Sequence, residues 1–395
     1  MRRSTTTTTI RSFRHRGTAA ALAAATLSGG LLLGACGSSS STPTTTTAPA
    51  GGTVAPGNAA YLAADLKAPA GTLAASGSTF VQPFFTRAFY TYTSANHGLQ
   101  INYQGVGSGA GITAFEAGTV AFAASDVPMG ATDLAKVSGP VVQVPDTLGG
   151  IAVAYNLPGV TKRVRLDGAT LAGIFTGTIT KWDAPQIAAL NPGVTLPANP
   201  IVPEVRADSS GSTYIFTDYL TSAAPTGWTL GKAKTVAWPS AAVQSPKNSG
   251  VAAAIKSTPY SIGYIELAYA IQNNFSYAAV KNKSGAFVAP SAASVAADAD
   301  QKTSVSATDF SIVDQAGAAS YPISGYSWAI LLQKQASDTT GAQVVKVLDW
   351  TTHTGGGQDV APALDYVPLP PAVQNQVRTQ LLTVTGPGGT VLLTK

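Results

Sequence analysis

Residues 199–220, NPIVPEVRADSSGSTYIFTDYL, contain a strand, a loop and a helix in immediate succession. The segment NPIVPEV has the apolar character of a buried strand, and YIFTDYL places apolar residues at helical spacing. Between them, RADSSGST carries one cation, one carboxylate, one glycine and four hydroxyl groups. A strand-to-helix loop of this kind is typical of an α/β fold, in which ligands bind at the loops that follow the strands.

The same alternation extends from about Leu73 to the C-terminus. Strand-like segments are GTLAASG, LQINYQ, VAFAASD, VVQVP, IAVAYNL and SIGYIELAY. Helix-like segments are VQPFFTRAFYTYTS, GATLAGIFTGTITKWD, PQIAALN, GVAAAIKST, AQVVKVLDWTTHT and AVQNQVRTQLL. A chain of 395 residues is too long for one ordinary core. The pattern therefore predicts two α/β lobes, each with a largely parallel sheet.

The N-terminal segment is typical of an exported lipoprotein. Five arginines and no acid lie in the first 16 residues, an Ala- and Gly-rich apolar run follows, and LGAC ends at Cys36, the only cysteine. This pattern predicts that residues 1–36 are a lipoprotein signal peptide and that Cys36 is lipidated. An uncleaved anchor or a plain signal peptide is the alternative. Residues 37–71, rich in Ser, Thr, Pro and Ala, predict a disordered linker.

The charge balance argues against a nucleic-acid partner. The net charge is +5, but the five N-terminal arginines account for it, and the remaining chain has 19 basic and 19 acidic residues. Nucleic-acid binding requires a clustered basic surface. Any anion site must therefore be local, built from backbone dipoles and one or two charges.

Two further loops have a composition similar to RADSSGST. SGSTF, residues 76–80, offers N–H groups and hydroxyls at a helix start, a combination that can hold an anion, but taken alone the loop is better explained by N-capping through Ser78 or Thr79. GVGSGAG, residues 105–111, satisfies G-x-G-x-x-[GA], and Asp126 follows about 20 residues later, as in a dinucleotide-binding site. The next helical segment, ITAFEAG, is short for such a unit. A cradle of backbone amides for an anion is therefore favoured.

The loop after NPIVPEV adds a charge to the hydroxyl donors. Arg206 can hold an oxyanion with two parallel hydrogen bonds. The residues Ser210, Gly211 and Ser212 can present consecutive N–H groups. Asp208 is close enough in sequence to orient the guanidinium of Arg206. An N-cap explains the serines equally well, but it does not explain an arginine at the strand end.

Asp126, in ASDVPMG, is an acceptor that would repel an anion unless the anion has a proton to donate. Phosphate keeps at least one proton at neutral pH and sulfate keeps none. A carboxylate at the site therefore favours phosphate over sulfate. The alternative is that Asp126 caps the turn before Pro128.

An enzyme is the second functional hypothesis, either a serine hydrolase or a dinucleotide-dependent enzyme. A serine nucleophile needs a base. His15 lies in the signal segment, and His97 and His353 are predicted to lie in exposed loops. The sequence has no G-x-S-x-G motif and no cluster of Cys and His with metal-ligand spacing. No catalytic residue, cofactor or metal site is therefore predicted.

A glycan-binding surface lipoprotein is the third hypothesis, because tryptophan rings stack on sugars. The sequence has five, Trp182, Trp228, Trp238, Trp328 and Trp350. Their neighbouring residues predict packing in the core or on the lobe surface instead.

Taken in order, the segments resemble the periplasmic phosphate-binding protein family, the substrate-binding subunit of the phosphate ABC importer. The similar stretches are GSTFVQPFF, INYQGVGSGAGI, VAFAASDVPM, GGIAVAYNLPGV, ITKWDAPQIAALNPGVTLP, RADSSGSTYIFTDYL, GVAAAIKSTPYSIGYIELAYA and LDYVPLP. The resemblance implies the type II periplasmic-binding-protein fold, with a ligand cleft between two lobes joined by two crossovers. It places lobe I at residues 72–147 and 325–395 and lobe II at residues 148–324.

Carried over residue by residue, the resemblance also implies a binding site. The implied phosphate-binding residues are Thr79, Phe80, Ser108, Asp126, Arg206, Ser210, Gly211 and Ser212, and Asp208 would orient the arginine. The sequence departs from the family pattern at three places. Ser212 stands where the family often has Thr, Ala121 replaces a usual acid, and AVQSPKNSG, residues 242–250, lacks a Gly-rich loop and alters the rim of the cleft.

The resemblance implies a receptor rather than an enzyme. Its implied partners are inorganic phosphate and the permease and ATPase subunits of a phosphate ABC transporter. It implies a monomer without a cofactor, attached by its lipid anchor to the extracytoplasmic face of the cell membrane.

Overall fold

The computed structural model describes residues 67–394, in which strands and helices alternate along most of the chain. The strands are β1 (Gly71–Gly77), β2 (Leu99–Gly105), β3 (Phe122–Ser125), β4 (Val141–Tyr155), β5 (Arg165–Leu166), β6 (Val202–Arg206), β7 (Val243–Ser245), β8 (Ser261–Glu266), β9 (Ser276–Tyr277), β10 (Ala279–Lys281), β11 (Phe287–Val288) and β12 (Ser324–Leu332). The predicted signal peptide, Cys36 and most of the predicted linker lie outside the described residues.

The helices follow the apolar periodicity of the sequence. They are α1 (Gln82–Ala95), α2 (Ser108–Glu116), α3 (Ala131–Leu134), α4 (Gly168–Thr176), α5 (Pro185–Leu190), α6 (Gly211–Ala223), α7 (Lys247–Ser257), α8 (Leu267–Gln272), α9 (Ala292–Ala299), α10 (Asp338–Thr351) and α11 (Pro371–Leu381). Two short 3-10 helices, Gly357–Val360 and Pro362–Leu364, lie between α10 and α11. The predicted α/β class is confirmed.

Residues 67–394 form a small sheet of order β11-β10-β5 and one large mixed sheet of nine strands. The order of the large sheet is β2-β1-β3-β12-β4-β8-β6-β7, and β9 pairs with β4. Strands β2, β1 and β3 are parallel, as are β8, β6 and β7. The central pairs β3–β12, β12–β4 and β4–β8 are antiparallel. The sequence thus predicts the parallel ends of the sheet correctly but misses its antiparallel centre.

Strand β4 is the longest element of the sheet and corrects the sequence analysis, which predicts separate strands for VVQVP and IAVAYNL. In the structure Pro145 does not interrupt β4. The register of β4 against β12 shifts at this point, between Ser327 and Trp328. A bulge of this kind tolerates a proline inside a sheet. Residues 141–150 of β4 pair with β12, and residues 151–155 pair with β8. The strand therefore crosses the boundary predicted between residues 147 and 148, and the lobe limits stay a prediction.

The hydrophobic core follows the sheet and its flanking helices. Helix α1 buries Phe84, Phe85, Phe89 and Tyr92, and the Phe85 and Phe89 rings stack 4.6 Å apart. All five tryptophans are buried. The structure therefore confirms that they pack in the core, and it shows no exposed tryptophan that could stack on a sugar.

The folded body begins before residue 72, the first residue of predicted lobe I. Gly71 already belongs to β1. The amide of Gln343 donates to the carbonyl oxygens of Pro69 and Ala70, and the Ala68 N–H donates to Asn96. Within residues 67–394, no helix has the length and apolar character that a membrane span requires.

Candidate functional site

The parallel strands end level with one another, and this brings the predicted loops together. The register sets Gly77, at the end of β1, beside Gly105 of β2 and Ala124 of β3. The loops that carry Thr79, Ser108 and Asp126 therefore start at one edge of the sheet. This is the edge at which α/β proteins bind their ligands.

The loop after β6 contacts the same edge. The Gly109 N–H donates to the carbonyl oxygen of Ser209 at 2.9 Å, and the Gly211 N–H donates to Ser108 Oγ at 3.2 Å. Gly109 and Gly211 are 102 positions apart in the chain. All eight predicted phosphate-binding residues thus lie in this region, and the whole set, Thr79, Phe80, Ser108, Asp126, Arg206, Ser210, Gly211 and Ser212, is buried or within a buried helix start.

The buried Arg206 and the partly buried Asp208 form an ion pair at the end of β6. Nε of Arg206 lies 2.8 Å from Asp208 Oδ1, and Nη2 lies 2.6 Å from Oδ2. Although partial burial raises the pKa of Asp208, the hydrogen bonds and charge of Arg206 outweigh it and lower that pKa below its ordinary value. A guanidinium has five N–H donors, so the two that contact Asp208 leave three for an oxyanion. Asp208 therefore fixes the orientation of the guanidinium and leaves three of its N–H groups available to a ligand.

Gly107 makes room for this ion pair. Its φ of 99° lies in the region that favours glycine, and a Cβ atom there would come within 2.4 Å of Asp208 Oδ2. The glycine of the GVGSGAG loop thus serves close approach between two segments that are far apart in the sequence. Helix α2, which starts here, has only nine residues, in keeping with the doubt about a dinucleotide site.

Helix α6 begins at the site with a capped N-terminus. Ser210 is the N-cap, and its Oγ accepts from the Thr213 N–H at 3.2 Å. The Ser212 N–H has no acceptor among the described residues. A helix start with unpaired N–H groups and its positive dipole end favours an anion. The cap and the anion site of the sequence analysis are therefore compatible.

Gly211 allows Asp126 to approach this helix start. A Cβ at Gly211 would lie 2.3 Å from Asp126 Oδ2 and 2.5 Å from Asp126 Cβ. Because the second contact is close to the backbone, rotation of the Asp126 side chain could not relieve it. A glycine is required here for steric reasons.

Asp126 follows β3 and is 2% exposed. Its Oδ2 lies 3.4 Å from Ser108 Oγ, and its Oδ1 has no hydrogen-bond partner among the described residues. Burial raises the pKa of Asp126 to about 7, and the nearby Ser78 hydroxyl, the charge of Arg206 and the Ser108 hydroxyl oppose the rise. Asp126 does not cap the turn before Pro128, since the Val127 N–H bonds to Ser125 Oγ. A buried acceptor without a partner fits a ligand that donates a proton.

The loop after β1 does not use the N-cap that the sequence allows. Val81 is the cap residue of α1 and makes no side-chain cap bond, whereas Ser78 Oγ accepts from the Phe80 N–H at 2.9 Å. The Phe80 ring is part of the core and packs edge-on against Tyr366 at 6.1 Å. Any contact of Phe80 with an anion is therefore a backbone contact.

Three further residues support the site and were not found from the sequence. Asn248 bonds to Thr79 and Ser212, the Tyr269 hydroxyl donates to the Thr79 carbonyl at 2.9 Å, and the Tyr366 hydroxyl donates to the Phe80 carbonyl at 2.5 Å. The sequence signals were indirect: Tyr269 and Tyr366 belong to GVAAAIKSTPYSIGYIELAYA and LDYVPLP, two stretches noted for their resemblance, and Asn248 lies in AVQSPKNSG, noted as a departure. Their role depends on packing between distant segments, which local pattern does not reveal.

The positions of the histidines bear on the enzyme hypothesis, because a serine nucleophile needs a base. His97 is exposed, as predicted. His353 is buried, so the prediction of an exposed loop is wrong. The backbone after Gly355 turns back, the Gly356 N–H donates to the His353 carbonyl, and His353 Nδ1 lies 2.6 Å from the Asp349 carbonyl oxygen. Burial lowers the pKa of His353. Within residues 67–394, no cluster of three or more metal-ligating side chains is present.

Comparison with known proteins agrees with this geometry. Residues 43–353 match the family model described as the PBP superfamily domain. The chain is 37% identical over 324 residues to the phosphate-binding protein PstS of Pasteurella multocida, covering 80% of this chain and 92% of that protein. It is 36% identical over 313 residues to PstS of Xylella fastidiosa, covering 77% and 83%.

A solved structure shows the same fold. A high-affinity periplasmic phosphate-binding protein, PfluDING bound with phosphate, aligns with a TM-score of 0.65 and 25% identity over 78% of this chain and 93% of that one. The predicted periplasmic-binding-protein fold is confirmed by this likeness. Given these matches over most of its length, the chain belongs to the PstS family of the PBP superfamily.

Proposed function

We propose that the chain is a lipid-anchored extracytoplasmic receptor that binds inorganic phosphate and delivers it to the permease and ATPase subunits of an ABC importer. The observation that carries the proposal is the convergence of Arg206, Asp126 and the start of helix α6 in one buried place. Relatives named phosphate-binding protein over most of the chain support it.

The proposed roles follow from the donors and acceptors that each residue offers. Arg206 supplies charge and up to three N–H bonds, and Asp208 aims it. Backbone N–H groups and hydroxyls come from the set Thr79, Phe80, Ser108, Ser210, Gly211 and Ser212. In this structure Gly211 N–H and Ser108 Oγ bond to each other, so these donors would exchange partners when an anion binds. Asp126 accepts a hydrogen bond from the protonated oxygen of phosphate.

A binding role without catalysis is part of the proposal. His353 is held at the end of helix α10 by the Asp349 carbonyl, and His97 is exposed. Neither is placed as a base for a serine of the site. We therefore propose a receptor that needs no cofactor.

Calorimetric titration of the purified full-length chain, stripped of bound anion, tests the proposed function. We expect phosphate to release heat with a 1:1 stoichiometry and sulfate to bind at least about 100-fold more weakly, since an acceptor without a partner costs a few kcal/mol. Absence of heat with phosphate, or equal affinity for the two anions, would contradict the proposal.

Anchoring and transfer are proposed on the sequence and on the family. Cys36→Ala should move the chain from the membrane fraction to the soluble fraction without changing its phosphate affinity. Mass spectrometry should find acyl groups on Cys36 of the parent chain. A variant that remains in the membrane fraction would show that another segment anchors it.

A further inference from the structure

Asn248, at the start of helix α7, connects the two sides of the candidate site. It is fully buried. Its side-chain Nδ2 lies 3.0 Å from Thr79 Oγ1 and 3.4 Å from Ser212 Oγ, and its backbone N–H donates to Thr79 Oγ1 at 3.2 Å. Thr79 and Ser212 are both among the proposed phosphate-binding residues, and Asn248 is not.

The orientation of the Asn248 amide is fixed from behind. The Glu266 N–H donates to Asn248 Oδ1 at 3.2 Å. A backbone N–H can bond only to an oxygen acceptor, so the oxygen of the amide must face Glu266 and the NH₂ group must face the two hydroxyls. Asn248 therefore acts on Thr79 and Ser212 as a donor only.

This arrangement limits what the Thr79 hydroxyl can do. A hydroxyl oxygen has two lone pairs and one proton. Both lone pairs of Thr79 Oγ1 accept from Asn248, so the hydroxyl can only donate its proton elsewhere. Among residues 67–394, neither the Thr79 nor the Ser212 hydroxyl donates to a protein acceptor. Both protons are available to an anion.

We propose that Asn248 is a positioning residue that forces the hydroxyl of Thr79 to donate, so that Thr79 binds only acceptor oxygens of the ligand, and that it occupies one of the two lone pairs of Ser212 Oγ. The inference rests on the proposed phosphate-binding function. It adds the Thr79 hydroxyl to the groups of the site that can only donate, the backbone N–H groups and Arg206, and sets them against the carboxylate acceptor Asp126. An anion with acceptor oxygens and a single proton matches that arrangement, whereas a neutral or multiply protonated ligand does not.

Reversing the hydrogen-bond polarity of the Asn248 side chain distinguishes a positioning role from a merely structural one. In Asn248→Asp, the side chain keeps its shape and can still bond to both hydroxyls, but it accepts hydrogen bonds from them, so that their O–H groups point away from the ligand. The added negative charge also repels the ligand. Thr79→Val removes the hydroxyl and keeps the shape, so Asn248→Asp in that background measures the charge effect with one of the two hydroxyls removed.

The test is phosphate calorimetry at about pH 9, where an introduced carboxyl is ionised, on the full-length chain, both single variants and the double variant. We expect Asn248→Asp to weaken binding roughly tenfold more in the parent than in the Thr79→Val background, the worth of one hydrogen bond to a charged ligand. Equal losses in the two backgrounds would overturn the inference.

A matched control separates positioning from folding. Asn282 is also a buried asparagine, and its amide bonds to the Gly317 and Ser320 carbonyls away from the site residues. Asn282→Ala should lower the melting temperature and leave phosphate affinity unchanged, whereas Asn248→Ala should lower affinity severalfold. An Asn248→Ala chain with parental affinity would also overturn the inference. A parent chain that binds no phosphate would contradict the proposed function itself.

Discussion

At the scale of single residues, the state of Asp126 determines which anions the site can reject. Burial raises its pKa to about 7, which brings its titration into the physiological range. Above that pH the carboxylate can only accept a hydrogen bond, and it repels an anion that has no proton. Below it, the neutral carboxyl can donate to such an anion. Discrimination against sulfate should therefore depend on pH.

We expect sulfate affinity to rise as the pH falls through about 7. Sulfate itself stays unprotonated over this range, so a change in its affinity reports on the protein. Calorimetric titration with sulfate at about pH 6 and about pH 8.5 measures the effect. Asp126→Asn should bind sulfate with nearly the same affinity at both values. A parent chain whose sulfate affinity does not vary would contradict the assigned role of Asp126.

At the scale of elements, the start of helix α7 combines backbone strain with a contact to the site. Lys247 has φ 66°, a left-handed conformation that is unfavourable for a lysine, and its N–H donates to Asp208 Oδ1 at 2.9 Å. Residues 242–250 lack the Gly-rich loop that the family resemblance leads us to expect. The missing glycine therefore has an energetic consequence, because a left-handed conformation is less unfavourable for glycine than for any other residue.

Lys247→Gly should therefore raise stability, by roughly 0.5–1 kcal/mol once the greater freedom of glycine in the unfolded chain is subtracted. The backbone N–H that bonds Asp208 is retained. Chemical denaturation of the ligand-free chain measures the change. The same substitution at Lys256, an exposed residue of helix α7 with no such strain, should instead destabilise by about 1 kcal/mol. If both variants lost stability, the strain at Lys247 would not be significant.

Much of the element structure follows from the sequence, and the exceptions have physical causes. Alternating apolar patterns locate β1, α1, β2, β6 and α6, because local periodicity reports burial of one face. The continuity of β4 through Pro145 does not follow, because a bulge opposite Ser327 and Trp328 permits it. The antiparallel entry of β12 also depends on a pairing between residues more than 170 positions apart.

The candidate site shows the same limit. The loops with Arg206, Ser210 and Asp126 indicate an anion site by the residue types that they contain. Asn248 and Tyr269 do not, because they matter only through contacts that tertiary packing creates, with Thr79 and, for Asn248, also with Ser212. Donors near a loop can be predicted from its sequence, whereas the groups that orient those donors cannot.

At the scale of the whole molecule, buried acids link stability to pH. Burial raises the pKa of Asp126 to about 7 and of Asp298 to about 8. It also raises the pKa values of Asp146 and Glu266. The folded chain therefore holds protons that the unfolded chain has released above about pH 4. Because the native state then binds more protons, stability must fall as the pH rises through this window.

We expect the ligand-free chain to melt at a lower temperature at pH 8 than at pH 5 to 6, a range below the pKa values of about 7 and about 8. Thermal denaturation across this range measures the slope. Asp298→Asn, whose side chain stays uncharged, should make the slope shallower, and substitution of the exposed Asp183 by Asn should not change it. A melting temperature that increases steadily up to pH 8 would show that these carboxyls are not protonated in the fold.

The central claim is that phosphate binds where Arg206, Asp126 and the start of helix α6 meet. A crystal structure of the full-length chain with phosphate tests it most directly. We expect Arg206 to hold the anion with two N–H bonds, and the Ser212 N–H and the Thr79 hydroxyl to donate to it. Asp126 Oδ1 should accept a hydrogen bond from the protonated phosphate oxygen, with the two oxygens within about 3 Å of each other. Phosphate bound elsewhere, or bound here with Asp126 turned away from it, would contradict the account.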